Sequence, residues 1–283
     1  SRAYVLPLII HIFARHISIS ELMKLSFSKY HGTGNDFIIV DIRNHATQLD
    51  ADSVAHLCHW RFGIGADGLI LLDKSTDYDF LMRYFNSDGN ESSMCGNGGR
   101  CITAFACRLG IIDNECTFEA VDGVHNASIL NEEDEVTVVI LQMADVPVNS
   151  WNEDDVFLNT GSPHLVKICS NIDKLDIDTL GRRIRSEDRF KPGGTNVNFI
   201  EEKDGEVHVR TYERGVEAET LSCGTGVTAA ALAWASLQHK GSPVKVKSRG
   251  GDLCVYFSKT EGYFTDVYLE GPAAFVFSGE TEI

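Results

Sequence analysis

The chain has 283 residues, room for about two domains, and its 43% hydrophobic, 9% aromatic and 23% charged make-up excludes long disorder, a collagen-like repeat and a membrane-embedded body. Its 25 Lys+Arg against 41 Asp+Glu give a formal charge of -16, so it lacks the basic face that nucleic acid or an anionic membrane requires, and small or zwitterionic ligands suit it better. Eight cysteines in a chain this long are sparser than in secreted disulfide scaffolds and read as reduced thiols.

In chain order, residues 1–22 are expected to be an extension outside the fold. Their apolar run 5–13 (VLPLIIHIF) spans nine residues, is broken by Pro7 and His11, and has no small-x-small cleavage site after it. A bilayer span needs about 20 residues, so no transmembrane segment is expected. From Met23 on, short alternating runs predict strands at 25–30, 69–72, 80–85, 136–141, 197–201, 207–212, 253–257 and 263–269. The stretch 52–60 is helix-like. Two helices stand out, 97–109 (NGGRCITAFACRL) and 225–239 (TGVTAAALAWASLQH), with Gly110 and Gly241 as stop signals. Both are small and apolar on all sides. A helix without a polar stripe is buried, so each is expected to run through the middle of a sheet-built domain with only its ends open to solvent.

Sliding the sequence on itself exposes a duplication. Residues 84–98 (YFNSDGNESSMCGNG) and 212–226 (YERGVEAETLSCGTG) share Tyr, a later Glu and Cys-Gly-x-Gly at a constant offset of 128. A looser echo links the Gly-led turns 34–36 and 161–163. Solenoid repeats run about 20–50 residues, so this period signals two similar halves that meet at a cleft.

Each half carries a cysteine, Cys95 or Cys223, at the start of its buried helix. Unpaired N–H groups and the positive helix end can hold a carboxylate there, and the same field is expected to lower a thiol pKa from about 8.5 toward roughly 3.5–7.5. Two such sulfurs facing each other across a carboxylate form a base on one side of a carbon and an acid on the other, which is what stereoinversion requires. One proton would be shared between the pair. No pyridoxal cofactor is expected, so the helix ends must stabilise the carbanion-like charge.

Other motifs carry less. There is no C-x2-C pair and no H-E-x-x-H, and Cys95, Cys101 and Cys107 step around one helix, so no metal site is expected. The remaining cysteines, Cys58, Cys101, Cys107, Cys116, Cys169 and Cys254, read as core thiols. Gly63 to Gly68 satisfy G-x-G-x-x-G, yet the segment follows a helix-like stretch and leads into a strand, the reverse of a dinucleotide site. His56, His59 and His239 read as surface or satisfied core residues. The sequons at Asn90 and Asn126 are chance matches in a cytoplasmic chain.

Eight segments together resemble one family, the diaminopimelate epimerases: HGTGNDF (31–37), RFGIGADG (61–68), FNSDGN (85–90), MCGNGGRC (94–101), TGSPHLV (160–166), GTNVNF (194–199), YERGVEAET (212–220) and SCGTG (222–226). The match runs from Lys29 to about Pro272. The resemblance implies a mixed α/β (α+β) fold of two pseudo-symmetric domains, each a curved sheet wrapped around a buried central helix. We expect one half at 23–142 with a returning strand at about 270–283, and the other at 143–269. It also implies a cofactor-independent enzyme interconverting L,L- and meso-diaminopimelate for lysine and peptidoglycan synthesis. By motif, Cys95 and Cys223 become the acid/base thiols, with Cys95 favoured as base on the L,L-isomer. Gly96, Asn97, Gly224 and Thr225 hold the reacting carboxylate, and Asn35 lies beside it. Asn86, Asn196 and Arg214 take the distal carboxylate and Glu213 the distal ammonium, with Ser162 and His164 as further candidates near the site. Three departures touch the distal end: Ser162 where many members have Asn, Gly68 where some have Gln, and a YERGVEAET segment one residue longer than the commonest form. A cytoplasmic location and a small amino-acid substrate follow; a homodimer is left open.

Overall fold

A computed structural model describes residues 24–44, 49–147 and 155–283; the expected extension, 1–22, lies outside them. The first elements are β1 (Lys24–Gly32), β2 (Asn35–Asp41), α1 (Ala51–Cys58), β3 (Gly68–Asp73), β4 (Phe80–Asn86), β5 (Glu91–Ser92), α2 (Gly96–Arg108), β6 (Glu115–Ala120), β7 (Gly123–Glu133) and β8 (Val136–Gln142). Then follow β9 (Val146–Pro147), β10 (Asp155–Asn159), β11 (Pro163–Ile168), α3 (Ile177–Arg185), β12 (Asn196–Lys203), β13 (Glu206–Glu213), β14 (Ala218–Thr220), α4 (Gly224–Leu237), β15 (Val244–Ser248), β16 (Gly251–Thr260) and β17 (Tyr263–Glu282).

Strand pairing closes a ring. β1 pairs with β2, β2 with β3, β3 with β4 and β4 with β6, the second and fourth of these being parallel. β6, β7, β8 and the far end of β17 continue antiparallel, and β17 returns to β1. The second half repeats the pattern: β10–β11 antiparallel, β11–β12 parallel, β12–β13 antiparallel, β13–β15 parallel, then β15–β16 and β16–β17 antiparallel. Matching elements keep one spacing. Asn35 and Pro163, Gly68 and Asn196, Gly96 and Gly224, and Gly123 and Gly251 open paired elements at an offset of 128.

A closed sheet has a narrow interior, and the helices inside have the composition that fits it. Every residue of α2 from Gly96 to Ala106 is buried, and α4 fills the second half with Ala229, Ala230, Ala231 and Ala233, all without exposed surface. Phe37, Phe80 and Phe118 pack around α2, each contributing about 1.5–3 kcal/mol by burial. The amphipathic helices lie outside. α1 buries Val54 and Leu57 on the outer sheet face of the first half, and α3 buries Ile177 and Ile184 on that of the second. Among the described residues no helix is long and apolar enough to cross a membrane.

β17 corrects one sequence expectation. The strand predicted at 263–269 does not stop there but runs on to Glu282. Its first part pairs with β16 up to Cys254↔Glu270, and from Gly271↔Val139 onward it belongs to the ring of the first half. The two halves therefore share one strand.

A second join lies at the β1–β2 turn. Thr33 and Gly34 take positive φ there, 50° and 86°, and press the turn against Leu221 and the β15–β16 turn. A Cβ at Gly250 would stand 1.7 Å from the Thr33 carbonyl oxygen. Backbone cannot yield as a side-chain tip can, so Gly250→Ala is expected to cost about 1–3 kcal/mol. A lowered thermal midpoint should show this, with Gly241→Ala, where a Cβ meets nothing within 4 Å, as the unchanged control.

Candidate active site

The two buried helices point their first turns at each other. A Cβ at Gly224 would lie 3.2 Å from the Gly96 Cα and 3.5 Å from the Asn97 nitrogen. Cys95 and Cys223 occupy the N-cap positions, and neither side chain caps its helix. Ser, Thr, Asp or Asn at an N-cap would satisfy these N–H groups internally. Cysteine leaves the dipole ends facing the junction.

In the first half Cys95 sits in an amide network. Its thiol approaches the Asn35 Oδ1 at 3.7 Å, and the same oxygen accepts from the Asn97 Nδ2 at 3.2 Å. The orientation of Asn35 is set from behind, because its Nδ2 donates to Asp67 at 2.8 Å. Asp67 and Asp36 exchange backbone and side-chain bonds, and Lys29 pairs with Asp36 at 2.6 Å. Asn97 also reaches across the junction, donating to the Ser222 carbonyl at 3.0 Å. Burial raises the Asp67 carboxyl above its ordinary range, a tendency that the Asn35 amide opposes.

In the second half a different chain of groups does the corresponding work. The Thr225 hydroxyl lies 3.4 Å from the Cys223 sulfur and 2.9 Å from the His164 Nε2. Thr211 donates to the Asn198 Oδ1 at 2.8 Å, which leaves the Asn198 Nδ2 to donate to the His164 Nδ1 at 3.0 Å. Nδ1 is then the acceptor, Nε2 carries the hydrogen, and Thr225, accepting it, has its own proton free for Cys223; this tautomer is inferred from the network. Burial, with Arg214 adding to it, pushes the His164 imidazole down to about 3.

A third group lies apart. Ser162 accepts from the Asn196 Nδ2 at 3.0 Å and from an Arg214 Nη2 at 3.3 Å, while the Asn196 Oδ1 accepts the Arg214 N–H at 2.7 Å. Glu213, the last residue of β13, turns the other way, and Arg214 opens the turn that follows. The Glu213 carboxylate accepts from Thr220 at 2.9 Å and lies in hydrogen-bond contact with Cys223, and burial pushes its pKa up. Thus Glu213 and Arg214, adjacent in sequence, face different ends of the site. Asn86 ends β4 opposite Gly68, and among the described residues no side-chain hydrogen bond ties it to the Ser162 group. A cavity of about 610 Å³ borders the junction at Gly96 and Thr225, lined further by Asp122, His125 and Asp145; neither sulfur nor Arg214 lines it.

One sequence expectation needs correction. Burial outweighs the helix field at both sulfurs, so each thiol is pushed up rather than down. The N–H groups of Gly98 and Asn97 oppose this at Cys95, Thr225 and the Gly226 N–H oppose it at Cys223, and the Glu213 charge adds to it at both. Sequence reading also missed Asp67, Arg100 and Asn198, which support the site from behind. Arg100 had a visible signal: it is the one charged residue in the otherwise apolar or neutral first turns of a buried helix.

A family model described as diaminopimelate epimerase matches residues 27–147 and 156–276. The chain is 48% identical over 252 residues to the diaminopimelate epimerase of Flavobacterium psychrophilum, covering 88% of this chain and 97% of that one. It is 43% identical to the Chlorobaculum tepidum enzyme of the same name, covering 88% and 98%. Among solved structures, a phenazine biosynthesis protein of the PhzF family from Bacillus anthracis superposes with a TM-score of 0.74 at 16% identity, covering 93% of this chain and 100% of that one. A hydroxyproline epimerase from Agrobacterium vitis gives 0.65 at 16% identity, covering 92% and 93%. These two likenesses concern the fold.

The buried imidazole has a measurable consequence. An unfolded histidine titrates near 6.5, whereas His164 stays neutral down to about 3. Between those values the unfolded chain binds the extra proton, so stability is intact above about pH 6.5 and is lost as pH falls below it. His164→Gln should show a smaller loss of thermal midpoint between pH 7 and pH 4 than the parent. An equal loss in both proteins would contradict it.

Proposed function

The chain belongs to the diaminopimelate epimerase family, and we propose that it interconverts L,L- and meso-diaminopimelate with Cys95 and Cys223 as the two proton-transfer groups. The observation that carries this reading is the meeting of two helix N-termini, each capped by a cysteine, at Gly96 and Gly224. A carboxylate at that junction lies in the field of both dipoles and next to N–H groups of both first turns. Gly96, Asn97, Gly224 and Thr225 hold it in this reading. The attached α-carbon then stands between the sulfurs.

The reaction follows from that placement. One sulfur, as thiolate, removes the α-proton while the other, as thiol, delivers a proton to the opposite face; the roles are reversed for the other isomer. Negative charge grows on the carboxylate as the C–H bond breaks, and the fixed dipoles stabilise it there without reorganising. Glu213 opposes a second negative charge at either sulfur, so only one of the pair carries the anion at a time. The family resemblance assigns Cys95 as the base toward the L,L-isomer. No cofactor is used.

The far end of the substrate is a second zwitterion. Arg214, Asn196 and Ser162 already share hydrogen bonds and offer a cation and polar groups to its carboxylate. By the resemblance Asn86, at the end of β4, is assigned to the same end, and Asn35 to the reacting end beside Cys95. Glu213 was expected to take the distal ammonium; its contact with Cys223 supports the reacting end instead. His164 and Thr225 steady Cys223.

For domain organisation we take 23–142 with 270–283 as one half and 143–269 as the other, a division that the pairing of β17 supports. Two thiols that must stay reduced suit a cytoplasmic enzyme, and every described cysteine is free.

The test is chemical. Incubation with L,L-diaminopimelate in D2O, without pyridoxal phosphate, should place deuterium at the α-carbon of the meso product. Cys95→Ser and Cys223→Ser should each lower turnover by about 100-fold or more, the scale of a lost acid or base. Near-normal turnover in either variant would sink the two-thiol mechanism.

A further inference from the structure

The backbone of the junction occurs twice, but its buried guanidinium does not. Arg100 lies one helical turn after Cys95 and has no exposed surface. The residue at its matched position in the second half is Thr228. Both reach back to the carbonyl that opens their helix: Thr228 Oγ1 donates to Gly224 at 3.0 Å, and Arg100 Nη1 donates to Gly96 at 3.1 Å. Arg100 Nη2 also donates to the Asn97 Oδ1 at 3.0 Å. The fold makes room for this side chain. A Cβ at Gly32 would meet its Nη2 at 3.2 Å, and one at Gly271 would meet its Nε at 3.2 Å. No carboxylate forms a salt bridge with it among the described residues.

A buried guanidinium without a counter-anion is costly, and an enzyme with no use for it could replace it by an apolar residue. We propose that Arg100 is the positioning residue that makes the two sulfurs unequal: its lone buried charge locks Asn97 and the first turn of α2, and draws the resting anion to Cys95 rather than Cys223. Locking the Asn97 Oδ1 fixes its Nδ2 toward Asn35 and Ser222, so the contact to Asn35 beside Cys95 depends on Arg100. The charge also counteracts burial at Cys95, and no arginine does so at Cys223. The other ionisable groups facing the sulfurs are Glu213, Asp67, Asp36, Tyr84 and Cys101. Glu213 adds negative charge at both sulfurs, Asp36 is paired with Lys29, and burial raises Asp67, Tyr84 and Cys101. Arg100 is the positive member of the set.

The inference rests on the two-thiol reading but is tested without turnover. Each cysteine of the full-length enzyme is alkylated with iodoacetamide from pH 5 to 10 and followed by peptide mass spectrometry; the pH midpoint, unlike the rate, is not set by exposure. In the parent the Cys95 midpoint should lie below that of Cys223 by about one pH unit or more. Arg100→Gln should raise the Cys95 midpoint and leave that of Cys223 in place, while Arg100→Lys, keeping the charge, should restore most of the difference. Equal midpoints in the parent would overturn the proposal even if both variants fail to fold. So would an unchanged Cys95 midpoint in a folded Arg100→Gln enzyme. Loss of the two-thiol mechanism would show separately, as turnover surviving Cys95→Ser.

Discussion

Two positive helix ends are pressed together at a pair of glycines, and the rest of the molecule is arranged to permit it. With a Cβ of Gly224 due 3.2 Å from the Gly96 Cα, even alanine there would press the first turns apart by a few tenths of an ångström. Like dipole ends repel, so the junction favours an anion between them. Neither helix can end there on a surface. Each must be buried along its length, which demands small apolar residues on every side and a sheet curved around it. The Ala-rich α4, the glycines of α2 and the closed strand ring follow from that one requirement.

The halves solve the same problem with different side chains. At Cys95 the supporting groups are amides and carboxylates, Asn97, Asn35 and Asp67, backed by the Lys29–Asp36 pair. At Cys223 they are Thr225, a neutral imidazole, Asn198 and Thr211. Duplication explains the shared backbone, and the divergence has a use. Two identical sulfurs would share one proton evenly, and half the molecules would await each isomer in the wrong state. Under the proposed two-thiol mechanism, unequal surroundings would give the resting enzyme a preferred base and a preferred acid.

Much of this was legible in the sequence, for physical reasons. The two helices announce themselves because burial on all sides leaves a run without polar residues, and the offset of 128 first seen in one short window governs β2, β3, α2 and β7 with their partners. The strands β6 and β7 were not legible: ECTFEA and GVHNASILNEE mix charges into half-exposed positions and blur the alternation. The short helix α3 hides for a similar reason, with three arginines among nine residues. Closure by β17 is a long-range pairing, which no local pattern encodes. At the site, the turn glycines and the two cysteines stood out by their repeated Cys-Gly-x-Gly spacing. Asp67, Asn198 and Arg100 act through a neighbour, and such work depends on distances that spacing does not give. The divergence of Glu213 and Arg214 arises where β13 gives way to a turn, a boundary that the local pattern does not mark.

Sharing of β17 bears on selectivity as well as on stability. The strand crosses from one half to the other between Glu270 and Gly271, beside the guanidinium of Arg100, so both sulfurs are referred to one continuous backbone. The Ser162, Asn196 and Arg214 group, in contrast, belongs to the second half alone. In the proposed reading, a substrate with two amino-acid ends would meet a proton-transfer site built from both halves and an anchoring group built mainly from one. Its anchored end would be held in a single sense, so that only one configuration is accepted there, while the reacting end is addressed from either face. Inversion at one centre with retention at the other would then follow from which half owns which residues.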